Sequence, residues 1–360
     1  MDQNNFRKLI SGENSGLAAV ILRFLLAAVS LFYAIAIGLR DFLYSKGFLR
    51  AQRVDAPVIS IGNITTGGTG KTPLVIWMCK FLQKNDIQCA ILTRGYKTQA
   101  TSHEPQTMMD EPAILAQSCP QVKVIVNPDR VAGAAEAMNS FGAKVMVMDD
   151  GFQHRRLARD LDIITIDATC PFGYGKMLPA GLLREPLSAL GRANAVVITR
   201  CDQADKAELN QLEEKIKSHR PDMITARSIH KPVCAKSVDG KEISLEELKN
   251  KKIFAFCGIG NPEAFLNTIK ALGLDLAGAK IYDDHYYYTE NDIDYIYKQA
   301  WQVKADLVIT TQKDLSKLNI RKLNFEIQFA YLAIELKFIC GEDKITQLIE
   351  DALAGKIQED

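Results

Sequence analysis

The sequence predicts an α/β protein: a doubly wound parallel sheet, a second and smaller α/β lobe, and an apolar helix ahead of both. Three observations predict it. Short, fully apolar runs recur along the chain with helical stretches between them, the pattern of parallel strands buried on both faces. One such run, Pro57–Gly62, leads through a glycine-rich turn straight into a helical stretch. Near the N-terminus, Gly16–Leu39 carries a single charge, Arg23.

The chain has 360 residues, enough for about two domains once an anchor is set aside. The expected division is residues 1–50 for the apolar helix and its basic flank, 51–225 for a first α/β domain and 226–360 for a second lobe, whose last helix could pack back on the first domain. A net charge of +1 gives no overall field favouring nucleic acid, so no nucleic-acid partner is expected. The 8 cysteines form no C-x-x-C pair and no zinc-ligand spacing, which points to a reducing compartment.

The N-terminal apolar segment would cover about 36 Å as a helix at roughly 1.5 Å per residue, enough for a bilayer core. Arg23 lies near one end, within reach of headgroups. Arg40, Lys46, Arg50 and Arg53 follow, against Asp41, with Phe42, Leu43, Tyr44, Phe48 and Leu49 between them. Such a basic, aromatic flank suits an anionic membrane surface. Three other readings stand beside a membrane span: a cleaved signal peptide at Ala34-Ile35-Ala36, a buried core helix, and a helix lying in the interface. Either membrane reading puts the protein on the inner, cytoplasmic face.

The turn after the first strand reads Asn63-Ile64-Thr65-Thr66-Gly67-Gly68-Thr69-Gly70-Lys71-Thr72-Pro73. Strand, glycine turn, Gly-Lys-Thr and helix in that order build a phosphate cradle, with backbone N–H groups and the helix N-terminus facing an anion. Thr65, Thr66, Gly67, Gly68, Thr69, Gly70, Lys71 and Thr72 are therefore the candidate nucleotide-binding residues. Lys71 can reach the β- and γ-phosphates and the Thr72 hydroxyl can ligate Mg²⁺. The usual first glycine of the motif is Thr65 here. The fold is accordingly of the P-loop NTPase type.

Later elements place polar groups at strand ends, where an open α/β sheet builds its sites. Cys89–Thr93 is a strand ending at Arg94-Gly95-Tyr96. Met109-Asp110-Glu111-Pro112 opens a helix, with Asp110 either its cap or a base. A strand at Val122–Val126 leads to Asn127-Pro128-Asp129-Arg130 and an alanine-rich helix. Ala143–Met148 ends in Asp149-Asp150, the hydrophobic-strand-then-Asp form that completes a Mg²⁺ site. Two adjacent carboxylates need a cation or donors beside them. Gly151-Phe152-Gln153-His154-Arg155-Arg156 could hold a phosphorylated acceptor, or its arginines could be a solvated run. Strands at Asp162–Ile166 and Ala195–Thr199 flank Leu178-Pro179-Ala180-Gly181-Leu182-Leu183-Arg184-Glu185-Pro186. A charged helix near Lys206–Lys217 leads into the second lobe, with strands at Ile253–Cys257, Leu307–Thr310 and Phe325–Ile334. There, Gly258-Ile259-Gly260 reads as a strand-to-helix turn. Asp283-Asp284-His285 is a proton-relay pair or a surface turn.

Taken in order along nearly the whole chain, these motifs resemble the tetraacyldisaccharide 4'-kinase family of lipid A biosynthesis, in which threonine is common at the position of Thr65. Asp149-Asp150-Gly151-Phe152-Gln153-His154 together with the glycine turn is the most specific part; Thr311-Gln312-Lys313-Asp314 is the last. The resemblance implies an ATP- and Mg²⁺-dependent kinase that phosphorylates the 4'-hydroxyl of a tetraacylated glucosamine disaccharide 1-phosphate, acting as a monomer on a membrane-held lipid, with ATP between two α/β lobes. It implies Lys71, Asp110 and His285 as catalytic residues, Asp110 accepting the sugar hydroxyl proton with His285 as its partner. Thr72, Asp149, Asp150 and Glu185 would serve the metal, and Arg94, Arg130, Gln153 and His154 the substrate. A membrane anchor would also raise the effective concentration of such an acceptor. The rival reading is a membrane-targeting regulatory P-loop ATPase or GTPase; against it, Thr66 stands before Gly67-Gly68 where such proteins use a lysine. A membrane scaffold with a purely structural loop is a further alternative, separable by nucleotide binding.

Overall fold

The computed structural model describes residues 3–95, 110–318 and 326–355. They fall into two compact units, the first from residues 3–95, 115–229 and 338–355, the second from 110–114, 230–318 and 326–337.

The chain begins with helices α1 (Gln3–Ser11) and α2 (Leu17–Ser45). It then alternates through β1 (Val58–Gly62), α3 (Lys71–Lys84), β2 (Cys89–Thr93), α4 (Asp110–Ser118), β3 (Lys123–Val126), α5 (Arg130–Phe141) and β4 (Val145–Asp149). Next come β5 (Leu161–Asp167), β6 (Ala195–Thr199), α6 (Lys206–His219) and β7 (Ile224–Ser237). In the first unit these strands lie in the order β7-β6-β5-β1-β4-β2-β3, every neighbouring pair parallel. Every residue of β1, β2, β4, β5 and β6 is buried, which is why these strands read as unbroken apolar runs rather than alternating ones. β1 sits between β4 on one side and β5 on the other, so the crossovers part around it and the loop after it lies at the switch point where such sheets bind ligands.

The second unit continues with β8 (Glu242–Ile243), α7 (Leu245–Lys249), β9 (Lys252–Cys257), α8 (Pro262–Ala271), β10 (Asp275–Ile281), α9 (Glu290–Gln302), β11 (Leu307–Thr310) and α10 (Gln312–Leu315). Its sheet runs β10-β9-β11-β12, all parallel, with β12 spanning Gln328–Cys340; β8 pairs antiparallel with the end of β7. Gly258-Ile259-Gly260 is the turn from β9 to α8, and Asn261 caps that helix by accepting a hydrogen bond from Ala264 N at 3.1 Å. The last helix, α11 (Glu342–Leu353), belongs to the first unit.

α2 is 29 residues long with a mean hydropathy of 2.4 over its apolar window, and none of that window is buried. The core-helix alternative therefore does not hold. One narrow stripe of α2 does touch the first unit, at three- and four-residue spacing. The Ser30 hydroxyl donates to Met177 O at 2.9 Å and the Tyr33 hydroxyl to Arg184 O at 2.9 Å. Arg40 pairs with Glu185 at 2.8 Å, Asp41 accepts from Arg155 and Arg192, each at 3.2 Å, and Arg155 lies over the Tyr44 ring. The docked stripe carries these polar groups, with Leu26, Ala34, Ile37 and Leu43 half-buried among them. Phe24, Leu25, Leu31, Phe32 and Ile35 on the remaining surface are exposed, the reverse of a helix on a water-soluble core.

Candidate active site

The loop from Asn63 to Gly70 needs left-handed backbone at Gly67 (φ 106°) and Gly70 (φ 86°), which glycine adopts without strain. A side chain on Gly68 would meet nothing, so that side of the loop is open. Its back is tied down by β5 and β6. The Thr69 hydroxyl lies 2.8 Å from that of Thr165 and accepts from Asn63 Nδ2 at 3.0 Å; Thr199 donates to Thr69 O at 2.9 Å and Arg200 to Gly68 O at 2.8 Å. Arg200 is itself fixed by an ion pair with Asp167. Thr66 N and Thr69 N are engaged by Leu182 O and Gly67 O, so the donors best placed for a phosphate are the N–H groups that open α3. Gly62, just before it, admits no side chain, since a Cβ would stand 2.5 Å from that of Phe152. Lys71 and Thr72 form the first turn of α3, adding the positive end of that helix.

A strap of residues 177–185 forms the outer wall. Thr66 N donates to Leu182 O at 2.7 Å, Arg184 N donates to Ile64 O at 2.7 Å, and Thr65 bridges Leu183. From the strap the Arg184 guanidinium reaches Asp150, with contacts of 2.8 and 3.2 Å to its two oxygens, and Asn63 Oδ1 at 3.1 Å. Lys71 Nζ stands 3.5 Å from Asp150 Oδ1. Burial pushes the Asp150 carboxyl toward the neutral form, but Lys71 and Arg184 outweigh it and hold the group far below the usual carboxylate range. Asp149, buried, ends β4 opposite Ile61 of β1, at the foot of the loop.

Among the described residues no three His, Cys, Asp or Glu side chains converge into a metal cage. The Thr72 hydroxyl and the Asp149-Asp150 pair are the hard oxygen groups that would suit a Mg²⁺ brought in with a nucleotide. The Glu185 side chain is fully buried and its oxygens are bonded to Arg40 and Arg192, so it brackets the strap behind the cradle.

The expected substrate residues are placed unevenly. Gln153 Nε2 donates to Asn63 O at 2.8 Å, so it clamps the start of the loop. Arg130 opens α5 almost wholly buried, donating to Asn127 O at 2.7 Å, while Asp129 caps the helix by accepting from Val131 N and Ala132 N. His154 is half-buried near it. Burial, then the charges of Arg130 and Arg159, push its imidazole from 6.5 down to about 4, against the weaker pull of Asp129. It is neutral in the folded protein at pH 7. The unfolded chain takes up a proton as pH falls below about 6.5 and the folded chain does not until about 4, so folding stability should fall across that window. His154→Gln should flatten that part of a pH–stability profile, checked by thermal unfolding. Arg94 is exposed just past the end of β2.

In the second unit, Lys313 of α10 gathers a separate charged cluster: Asp284 Oδ1 at 3.4 Å, Glu111 Oε1 at 3.6 Å and His285 Nε2 at 3.2 Å. Burial works against the Lys313 charge, but Asp284 and Glu111 more than restore it. His285 is partly exposed and held in a left-handed conformation at φ 61°. Asp110 begins α4, and Glu111 beside it brings that first turn to the cluster; the Asp110 side chain lies outside the described residues. Reading the sequence alone missed Asn63, Thr165, Thr199, Arg200 and the role of Arg184. Only the Arg184-Glu185 pair stood out there, as charge within a run of rigid turns.

The profile of the tetraacyldisaccharide-1-P 4'-kinase family matches residues 22–354. The tetraacyldisaccharide 4'-kinase of Halothermothrix orenii is 34% identical over 368 residues, covering 95% of each chain. That of an Anaeromyxobacter species is 37% identical over 350 residues, covering 93% of each. The structure of LpxK from Aquifex aeolicus in complex with ATP superposes with a TM-score of 0.69 at 29% identity, covering 92% of this chain and 99% of that one. The phosphate cradle, the strand-end carboxylates and the match across both units make this chain a member of the tetraacyldisaccharide 4'-kinase family.

Proposed function

We propose that this protein transfers the γ-phosphoryl group of ATP to the 4'-hydroxyl of a tetraacylated glucosamine disaccharide 1-phosphate, a step of lipid A biosynthesis. The observation that carries the reading is Lys71 and Arg184 meeting at Asp150 on the mouth of the glycine cradle. Phosphoryl transfer is mostly positioning and charge neutralisation, and these groups supply both. The cradle N–H groups and Lys71 grip the phosphates, Arg184 fixes Asp150, and Thr72 with Asp149 and Asp150 would hold Mg²⁺. A bound Mg²⁺ would supply stabilisation of the charge that develops on the transferring phosphoryl group. Asp110 as the base for the sugar hydroxyl, with His285 as its partner, belongs to this proposal, as do Arg94, Arg130, Gln153 and His154 as acceptor contacts. The test is to incubate the purified protein with Mg-ATP and the disaccharide 1-phosphate lipid. Gain of one phosphoryl group by mass supports the reading; ATP turnover indifferent to the lipid would instead favour a regulatory ATPase.

Membrane association on the cytoplasmic face is part of the same proposal, with α2 lying in the interface. α2 is held near its N-terminal end as well, where Arg23 donates to Asn14 O at 2.8 Å and to Leu9 O at 3.4 Å, and again from Ser30 onward, so no long stretch of it runs clear of other protein. A span needs about 20 residues, near 30 Å. An exposed apolar face over a docked stripe instead suits a helix laid along the headgroup boundary. Acyl chains would then stay in the bilayer while the sugar reaches the cradle, with a single copy of the chain sufficient.

A further inference from the structure

Three contacts of α2 fall on the strap, beside those that Asp41 and Tyr44 make with Arg155 and Arg192. Ser30 holds the strap's first residue, Met177, through its carbonyl; Tyr33 holds Arg184 through its carbonyl; Arg40 holds the side chain of Glu185. On its other side the same strap is hydrogen-bonded to Ile64 and Thr66 of the cradle, and its Arg184 grips Asp150. The path from helix to carboxylate is therefore short: Tyr33 hydroxyl, Arg184 carbonyl, Arg184 guanidinium, Asp150. A fully buried Glu185 makes the bracket exacting. Its charge is compensated by Arg40 from α2 and Arg192 from the first unit, and losing either leaves a buried carboxylate short of a partner.

We propose that α2 is a working part of the phosphate site as well as a membrane attachment, with Tyr33 and Arg40 as positioning residues that set Arg184 against Asp150 and so shape the Mg²⁺-ATP site. This rests on the kinase reading above. It adds that helix placement and catalytic competence are linked: a helix seated on its lipid surface holds the strap in register with the cradle, and one pulled away releases it. An attachment acting only by concentrating enzyme and lipid in one layer would make no difference to a substrate dispersed in detergent. A positioning element does, because carboxylates that meet a metal depend on the groups bonded behind them.

The experiment compares wild type, Tyr33→Phe, Arg40→Gln and Arg40→Lys with the acceptor dispersed in non-ionic detergent. Turnover is followed against Mg²⁺ concentration, alongside sedimentation with phosphatidylethanolamine–phosphatidylglycerol vesicles and thermal unfolding. Tyr33→Phe and Arg40→Gln should lose about tenfold or more in turnover and need correspondingly more Mg²⁺ for half-saturation, the scale of lost second-layer contacts at metal sites. Vesicle binding should persist, since the apolar face is intact, and Arg40→Lys should recover part of the loss by restoring the charge. Turnover and Mg²⁺ dependence equal to wild type in both Tyr33→Phe and Arg40→Gln would overturn the proposal. So would a loss that tracks vesicle binding or the unfolding midpoint alone. Wild type that transfers no phosphate to the lipid would bring down the kinase reading itself, a distinguishable result.

Discussion

Replacing Lys71 with alanine should slow phosphoryl transfer by about 10²–10³ and leave the protein folded. Lys71 is the first residue of α3, where alanine is accepted without strain, and its ammonium has one described carboxylate partner, Asp150. That carboxylate keeps the two-pronged grip of Arg184 when Lys71 is gone, so no buried charge is left without a partner. The cost falls on the reaction. A fixed cation aimed at phosphate oxygens costs no reorganisation when charge develops there, and losing one such preorganised group removes about 3–4 kcal/mol, or roughly 10²–10³ in rate. Turnover of Mg-ATP and lipid acceptor, read beside the unfolding midpoint, checks both halves of the expectation. An alanine variant with undiminished turnover would detach the glycine cradle from the chemistry.

What the sequence made legible follows burial. β1, β2, β4, β5 and β6 are covered on both faces and surfaced as continuous apolar runs, and the loop after β1 carried its glycines and lysine in fixed order. β10 did not surface, because its residues are only partly buried and mix charged, small and apolar types. The long β7 was hidden for a similar reason, its pattern broken by half-buried polar residues. At the site, residues joined by side chains in sequence order were readable and those joined through backbone were not. Arg184 gains its place because its own N–H and C=O are tied to Ile64 and Tyr33, which leaves no compositional mark. Glu185, which the resemblance implies for the metal, is closed on by two arginines from distant parts of the chain, a setting its neighbours in sequence do not mark. Gln153, which the resemblance implies for the substrate, donates from Nε2 to Asn63 O at 2.8 Å, a tie to backbone that composition does not mark. The apolar character of Gly16–Leu39 masked Ser30 and Tyr33 of the docking stripe, and Arg40 and Asp41 read as part of a flank for a membrane surface.

Asp150→Asn should separate nucleotide binding from catalysis. Asp150 is ionised and flanked by Lys71 and Arg184, so it neutralises cations that would otherwise face the phosphates, and it sets a negative charge near them. Removing that charge should tighten metal-free ATP binding by about 1–2 kcal/mol, roughly tenfold, the scale of a unit charge acting over several ångströms in a partly buried site. Turnover should move the other way, falling about 10²–10³, because an amide is a poorer ligand for Mg²⁺ than a carboxylate and the ion's several kcal/mol of charge stabilisation is weakened. The backbone accepts the change, since Asp150 sits at φ 51° and asparagine is among the residues that tolerate that region. Arg184 can still donate to the amide oxygen, so the strap stays bonded. ATP titration in the presence of a chelator, set beside Mg²⁺-dependent turnover, reads the two effects independently. If binding and turnover fell together, Asp150 would be holding the cradle's shape; if Mg²⁺-dependent turnover were unchanged, the metal would rest on Asp149 and Thr72 without it.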